Sequence, residues 1–462
     1  MTYFPLTPEQ HAWRERVAAL AAREIGPRAA ETDRAARFPT ASLEALRREG
    51  LWGLRVAQAH GGLGADALTT CLVVEEIAKH CPSTAMCYKM HLEACELLSR
   101  MPTASQVDHL VTPLAHGEVF ATVAGGESAG AGNNWVPNAL AVSTVTKVPG
   151  GYQLDQIRKS YVTSAGQATH YFFVCKVGQE TPATDLTLLF LDARHVAWEI
   201  LEPWQGLGMR GNGSAPMRFS GVVGEACRIG AEHEGLRLFG GPLLPVLALT
   251  YAAAYLGIGS GAYALACPEA VRRYPSGARR LDSPINQRRM AELSAQLEAA
   301  RALLHAAASA CDQGRAPSPL PYIQAKVICA ETAVRVTQDL MTMFGGTAFA
   351  GRLPFERYFR DARAGLVMGL ANDQAYERIT ALLFPEDPQR RARAASAART
   401  RLGLSGRRDG GVHHVKPHCA RPRADHAQSC RAPRSRGASL SAGVCRHRTV
   451  HQGAGHTRKR AV

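Results

Sequence analysis

An α+β fold, mainly α, is the class this sequence predicts: an N-terminal helical domain, a central small β domain and a C-terminal helical bundle. Three textures in chain order predict it. Apolar residues recur at helical spacing through residues 1–115. Short, β-branched, alternating segments separated by turn residues then occupy about a hundred positions. Long alanine- and leucine-rich helical stretches return from residue 232. The boundaries read 1–117, 118–231 and 232–386, with a basic, disordered tail over 387–462.

The first helix opens in "LTPEQHAWRERVAALAAREIGP", where Thr7 caps, Pro8 suits the first helical position and Gln10 completes a capping box. Further helices are expected in "ASLEALRREGLWGL", "ALTTCLVVEEIAKH" and "AMCYKMHLEACELLSRM". The strands are expected in "ALAVSTVTKV", "GYQLDQIRKSYVTS", "HYFFVCKV", "DLTLLFLD" and "APMRFSGVV". The later helices, "YAAAYLGIGSGAYALACPEAVRR", "MAELSAQLEAARALLHAAASA" and "AKVICAETAVRVTQDLMTMF", are apolar on more than one side. That pattern suits helices packed inside a bundle and against a further subunit.

Charge argues against two classes of partner. The net charge of +15 suggests a nucleic-acid binder, but 18 of the 54 Lys+Arg and only two of the 39 acids lie beyond residue 388. The rest, 36 basic against 37 acidic residues, is electrically ordinary, so neither a nucleic acid nor a membrane surface is an expected partner. After Phe384 no aromatic residue occurs, and a segment so poor in apolar side chains cannot order itself. A disordered extension, or a shifted reading frame of GC-rich DNA, accounts for it better than a binding tail, and His413, His414, His418 and Cys419 lie in it. No metal site is expected. The start carries no signal pattern, no run is expected to approach the length of a membrane span, and Cys71, Cys175 and Cys329 read as reduced core residues, which makes the cytoplasm the expected compartment.

Five stretches in order carry a family resemblance. "AQAHGGLGADALTTCLVVEEIAK", "GGESAGAG" (125–132), "IRKSYVTSAG" (157–166), "LGMRGNGS" (207–214), and "FGGTAF" with "RYFRDAR" together resemble the acyl-CoA dehydrogenase superfamily over residues 1–386. The resemblance implies that family's fold, in which the central small domain is β-barrel-like and the C-terminal bundle has four helices, and an FAD cofactor. Tyr161, in the place of the family's tryptophan, would lie along the flavin ring and Thr163 would bond its edge. Val123, Gly125, Gly126, Ala131 and Gly132 would bring backbone N–H groups to flavin and pyrophosphate. Gly345 and Gly346, with Ala371 and Asp373, match a contact made to a neighbouring subunit's cofactor, which implies a homodimer or homotetramer. Gly126, Gly132 and Thr342 stand where the family often has Thr, Ser and Gln, so some side-chain bonds to the cofactor are lost.

The implied chemistry is removal of a proton α to a thioester carbonyl as hydride leaves the β carbon. It needs a desolvated carboxylate within reach of that proton. Counting on from Arg360 in "RDARAGLVMGLANDQ", the usual glutamate position holds Gly369, and the alternative position on the first long C-terminal helix holds Leu247 or Ala248. His91 is the nearest substitute, as base or orienting group, and Cys87, Tyr88, His91 and Gly369 are the expected substrate pocket. Arg360 and Asp361 read as a local ion pair fixing the turn, and Glu127 as a structural carboxylate. Three functions follow. One is dehydrogenation of an acyl thioester, linked to CoA or a carrier protein and reoxidised by an electron-transfer flavoprotein, with a relocated base. The second is a flavin-dependent monooxygenase or desulfinase reaction, and the third a catalytically silent flavoprotein or partner subunit.

Overall fold

A computed structural model describes residues 4–127, 143–182, 184–316 and 318–385. They lie within one compact unit, residues 1–405; a second unit, 406–462, falls outside the described residues.

Helix α1 (Pro8–Leu20) begins as its text predicts. Thr7 Oγ1 accepts from Gln10 N, and Gln10 Oε1 accepts from Thr7 N at 3.1 Å. Helices α2 (Ala67–His80) and α3 (Pro82–Arg100) follow; α2 begins where Asp66 caps Thr69 N at 2.6 Å. The N-terminus of α2 is held a second time, by Asp312 from far along the chain, which accepts from Ala67 N (2.7 Å) and Leu68 N (3.0 Å). All of α3 except Arg100 is buried, because it runs between the other N-terminal helices, the sheet and the bundle.

Eight strands form one sheet: β1 (Ala121–Ala124), β2 (Thr144–Val148), β3 (Gly151–Val162), β4 (His170–Val177), β5 (Thr187–Asp192), β6 (Ala197–Ile200), β7 (Ala215–Gly224) and β8 (Arg228–Ile229). Their order is β6-β7-β3-β2-β4-β5-β8, with β1 parallel to β4. Strand β4 begins and ends where "HYFFVCKV" does, and all but Lys176 of it is buried, since it is paired on both edges and covered on both faces.

The C-terminal part packs four long helices: α4 (Leu244–Val271), α5 (Pro284–Asp312), α6 (Leu320–Phe344) and, after the short α7 (Phe355–Ala362), α8 (Asn372–Leu383). Helix α4 touches α2, α3, α5 and α6, which explains its apolar residues on every side. Gly257 and Gly261, one turn apart, permit the contact with α2: a Cβ on either would stand 2.5 Å from Glu75 O or 2.2 Å from Lys79 O. The expectation that no run reaches membrane-span length is corrected here. Gly235–Val271 passes on length and composition, but it is the core helix of this bundle and mostly buried inside it.

Polar groups cross the same core. Arg301 on α5 reaches Glu75 on α2 (2.9 Å) and Ser260 on α4 (2.8 Å), joining three helices. Burial works to raise the Glu75 carboxyl, but Arg301, with Lys79 and His305 nearby, holds it at about 2. All nine cysteines among the described residues are free thiols, and Cys71, Cys175 and Cys329 are buried as expected.

Candidate active site

The end of β3 builds a polar strip beneath an exposed ring. The pairing of β3 with β7 slips between Lys159 and Val162, and at this irregularity Tyr161 takes φ +58°. Its ring consequently stands out from the sheet, 58% exposed, edge-on to Trp204. Two residues on, Thr163 is buried, its Oγ1 2.9 Å from Ser214 Oγ, while Thr122 Oγ1 donates to its carbonyl at 2.6 Å. Ser164 N donates to Asn212 O at 2.9 Å, and Asn212 Nδ2 is buried with no partner among the described residues. A free donor in a buried strip beside an exposed aromatic face fits a flat heteroaromatic ring with a polar edge.

The loop before it is anchored. Ser160 N donates to Gly126 O (2.9 Å), Glu127 accepts from Ser143 N (3.0 Å), and Glu127 pairs with the buried Lys159, which also bonds Val174 O at 2.6 Å. Val123 lies on β1, and Gly125 and Gly126 continue from it. Ala131 and Gly132 lie outside the described residues. Gly345, at φ +52°, and Gly346 close α6, and a Cβ on either would meet nothing within 4 Å. Beside them Phe349 is 85% exposed. Ala371 and Asp373 stand at the start of α8. Among the described residues no hydrogen bond or ring contact joins these four to Tyr161 or Thr163.

The turn that follows α7 differs from expectation. Arg360 and Asp361 do not pair with each other. Arg360 forks onto Asp33 (2.6 and 2.9 Å) and bonds Glu356 (2.7 Å), whereas Asp361 accepts from Met209 N at 2.6 Å. Successive helical residues point about 100° apart, so neighbours of opposite charge cannot face each other. Burial, with Asp33 nearby, pushes the Asp361 carboxyl up to about 6. The folded state then holds a proton that the unfolded state has lost between roughly pH 4 and 6, so this group's contribution is full below that window and lost as pH rises through it. Asp361→Asn keeps the acceptor for Met209 and removes the titration. Subtracting the variant's denaturation free energy from that of the wild type should give a difference that grows by about 2 kcal/mol from pH 7 to pH 4. A difference flat across that range would contradict the assignment.

Gly369 is closed off. It takes φ +74°, and a Cβ there would stand 2.9 Å from Tyr251 Cε2 and 3.0 Å from Cδ2. Tyr255 OH bonds Met368 O (3.2 Å), and Lys326 Nζ donates to Gly365 O (2.9 Å), Leu370 O and Asn372 Oδ1 (2.8 Å), so the whole turn is held.

The expected pocket is not assembled as the sequence suggests. Cys87 bonds Asn212 O (3.7 Å), Tyr88 OH bonds Leu51 O (2.7 Å), and His91 lies stacked on Phe120. His91 Nδ1 accepts from Ala121 N (3.0 Å) and Nε2 donates to Trp52 O (2.9 Å). With both nitrogens bound to backbone and the ring fully buried, no lone pair remains for a substrate proton, and burial lowers its pKa to about 4. The expectation of a base at His91 is therefore corrected to a core histidine. The face of α3 turned toward α4 and Gly369 carries instead Lys89, Met90 and Glu93. Lys89 pairs with Glu93 and lies 3.0 Å from the centre of the Tyr251 ring, and Thr250 Oγ1 donates to Glu93 Oε1 at 3.1 Å. The sequence signal was present: a Lys and a Glu four residues apart in "AMCYKMHLEA", whose other residues except His91 are apolar.

This architecture matches known proteins. The acyl-CoA dehydrogenase N-terminal domain matches residues 7–118 and the acyl-CoA dehydrogenase C-terminal domain residues 233–378. A short-chain specific acyl-CoA dehydrogenase of Clostridium acetobutylicum is 27% identical over 375 residues, 78% of this chain and 94% of its own. The 3-sulfinopropanoyl-CoA desulfinase of Paraburkholderia xenovorans is 27% identical over 370 residues, 79% of this chain and 93% of its own. Butyryl-CoA dehydrogenase from Megasphaera elsdenii superposes with a TM-score of 0.76 at 22% identity, over 82% of this chain and 99% of that one, which shows the same fold. With both domains matched in chain order on either side of the sheet, the chain belongs to the acyl-CoA dehydrogenase family.

Proposed function

We propose that this protein is an FAD-dependent oxidoreductase that dehydrogenates the α,β CH–CH bond of an acyl thioester, with its proton acceptor moved away from the turn after α7. The observation that carries this reading is the cradle at the end of β3, where the exposed Tyr161 ring, buried Thr163 and the free Asn212 donor lie together. Tyr161 would lie along the flavin face. Thr163 and Asn212 would bond its edge, and Val123, Gly125 and Gly126, with Ala131 and Gly132, would approach it through backbone groups. Gly345, Gly346, Ala371 and Asp373, which do not reach that cradle within one chain, would serve the cofactor of a second copy in a homodimer or homotetramer. When bound, the flavin supplies a two-electron acceptor for the hydride leaving the β carbon. The protein's residues hold the thioester, exclude water and take the α proton. The acyl carrier is CoA or a carrier protein, the electrons pass to an electron-transfer flavoprotein, and the free cysteines fit the cytoplasm.

The closure of Gly369 against Tyr251 favours one alternative: a monooxygenase or desulfinase reaction, which needs no base at that turn. Anaerobic mixing of the flavin-loaded protein with a panel of acyl thioesters separates the two. Dehydrogenation predicts loss of the oxidised-flavin absorbance with formation of an α,β-unsaturated thioester. If no thioester bleaches the flavin, while reduced flavin with oxygen yields a hydroxylated product or a sulfinated thioester releases sulfite, dehydrogenation is refuted.

A further inference from the structure

We propose that Glu93, buried beside Lys89 and bonded by Thr250, is the proton acceptor that stands in for a carboxylate at position 369. This rests on the dehydrogenase reading above. The Tyr251 ring links the two places: its edge lies against Gly369 and its face lies under Lys89 Nζ, which in turn pairs with Glu93. A carboxylate reaching in from the turn would run into that ring. The one carboxylate in this cluster enters from the opposite wall, on α3.

The pair is hard to explain as a structural device. Arg301 with Glu75 joins α5 to α2, and Arg55 with Glu96 (2.5 Å) joins the segment before α2 to α3. Lys89 and Glu93 are one turn apart on the same helix, whose backbone bonds already hold them together, and reach α4 only through the Thr250 hydroxyl and the Tyr251 ring. A fully buried ion pair contributes little that apolar side chains of similar volume would not. For a base, however, the setting fits: burial raises the carboxylate's affinity for a proton, and Lys89 and Thr250 offset part of that rise. The groups facing Glu93 are Lys89 on its own helix and Thr250, Tyr251 and Tyr255 on α4.

Tyr251 and Met90, 6% and 8% exposed against 1% for Glu93, cover the pair, so the assignment requires the Tyr251 ring to turn aside when the acyl group reaches Glu93. The Cα–H bond breaks and its proton passes to a Glu93 Oε. The electron pair left behind forms the new C=C bond as the β hydrogen departs with its own pair to the two-electron acceptor. The thioester is oxidised by two electrons and the acceptor reduced by two. Glu93, now a neutral carboxylic acid beside Lys89, returns its proton to solvent.

The test uses the full-length, flavin-loaded protein and two readouts: anaerobic flavin reduction by an oxidisable thioester, and solvent deuterium entering Cα of a 3-thia-acyl-CoA, followed by mass spectrometry. The second needs proton abstraction but no hydride transfer. Glu93→Gln should lower both by about 10²–10⁴-fold, and Glu93→Asp should recover part of the loss. Lys89→Met removes the cation, so the acid limb of the exchange profile should move to higher pH; Thr250→Val should move it the same way by less, and serves if Glu93→Gln does not fold. A Glu93→Gln protein that keeps its flavin and melting temperature and exchanges at the wild-type rate overturns the assignment, as does an unmoved profile in Thr250→Val. Wild-type protein that exchanges the Cα proton without being reduced by any thioester would leave Glu93 as the base and refute dehydrogenation. Wild-type protein that is reduced while Glu93→Gln is equally fast would do the reverse.

Discussion

Gly369→Ala is expected to lower the stability of the fold by about 3 kcal/mol, an unusual cost for adding one methyl group. Two independent effects make up the figure. The residue sits at φ +74°, where an L side chain costs about 1–2 kcal/mol. The added carbon would also stand 2.9 Å from the Tyr251 ring, and overpacking of this kind costs about 1–3 kcal/mol. A double-mutant cycle with Tyr251→Ala separates them. Removing the ring abolishes the steric part and leaves the backbone part, so the two substitutions together should cost less than their sum by at least about 1 kcal/mol. Denaturant unfolding of the four proteins measures this; a Gly369→Ala cost below about 0.5 kcal/mol, or strict additivity, would contradict the geometry. Gly369→Glu should fail for the same reasons and restore no activity. The missing glutamate is thus more than a single substitution, because the backbone angle and the tyrosine opposite both exclude a side chain at that position.

That coupling lay beyond the sequence, since Tyr251 and Gly369 meet only after the bundle closes. What depends on local pattern was legible. The capping box at Thr7 and the limits of α2 and β4 follow the text residue by residue. Strand β6 was not legible: all four of its residues are exposed, so it shows no alternation between a buried and a solvent face. Strand β1 was hidden inside a stretch whose glycines read as a loop. The harder failure concerned orientation. Because α3 is buried around nearly its whole circumference, its apolar pattern does not say which side meets α4. Cys87, Tyr88 and His91 were therefore as plausible a pocket wall as Lys89 and Glu93, and only contacts from residues 51–52, 121 and 250–251 distinguish the two faces. The charges of Arg360 and Asp361 misled similarly, since adjacency in sequence is not adjacency on a helix.

Lys326→Met should cost about 3–5 kcal/mol and loosen the turn before α8 ahead of the rest of the molecule. The Lys326 amino group is fully buried, which lowers its pKa to about 7, and it donates to Gly365 O, Leu370 O and Asn372 Oδ1 while facing the Tyr255 ring at 5.6 Å. Methionine fills much of the same volume but donates nothing. Three oxygens would then be buried without a donor, and each stranded acceptor costs about 1–3 kcal/mol, partly recovered if water enters. Arginine should not rescue it, because a planar fork cannot direct protons to three oxygens grouped around one point. Hydrogen exchange provides the decisive comparison. Amides of residues 365–372 should lose protection by more than the global destabilisation accounts for, while those of α4 should follow the global change alone. Uniform loss across the bundle would mean that Lys326 supports the core generally. A selective loss would show that this turn, although it carries no carboxylate at 369, is held in place by a lysine serving it from α6. Its ordered backbone is then what keeps Tyr251 beneath Lys89 and beside Glu93.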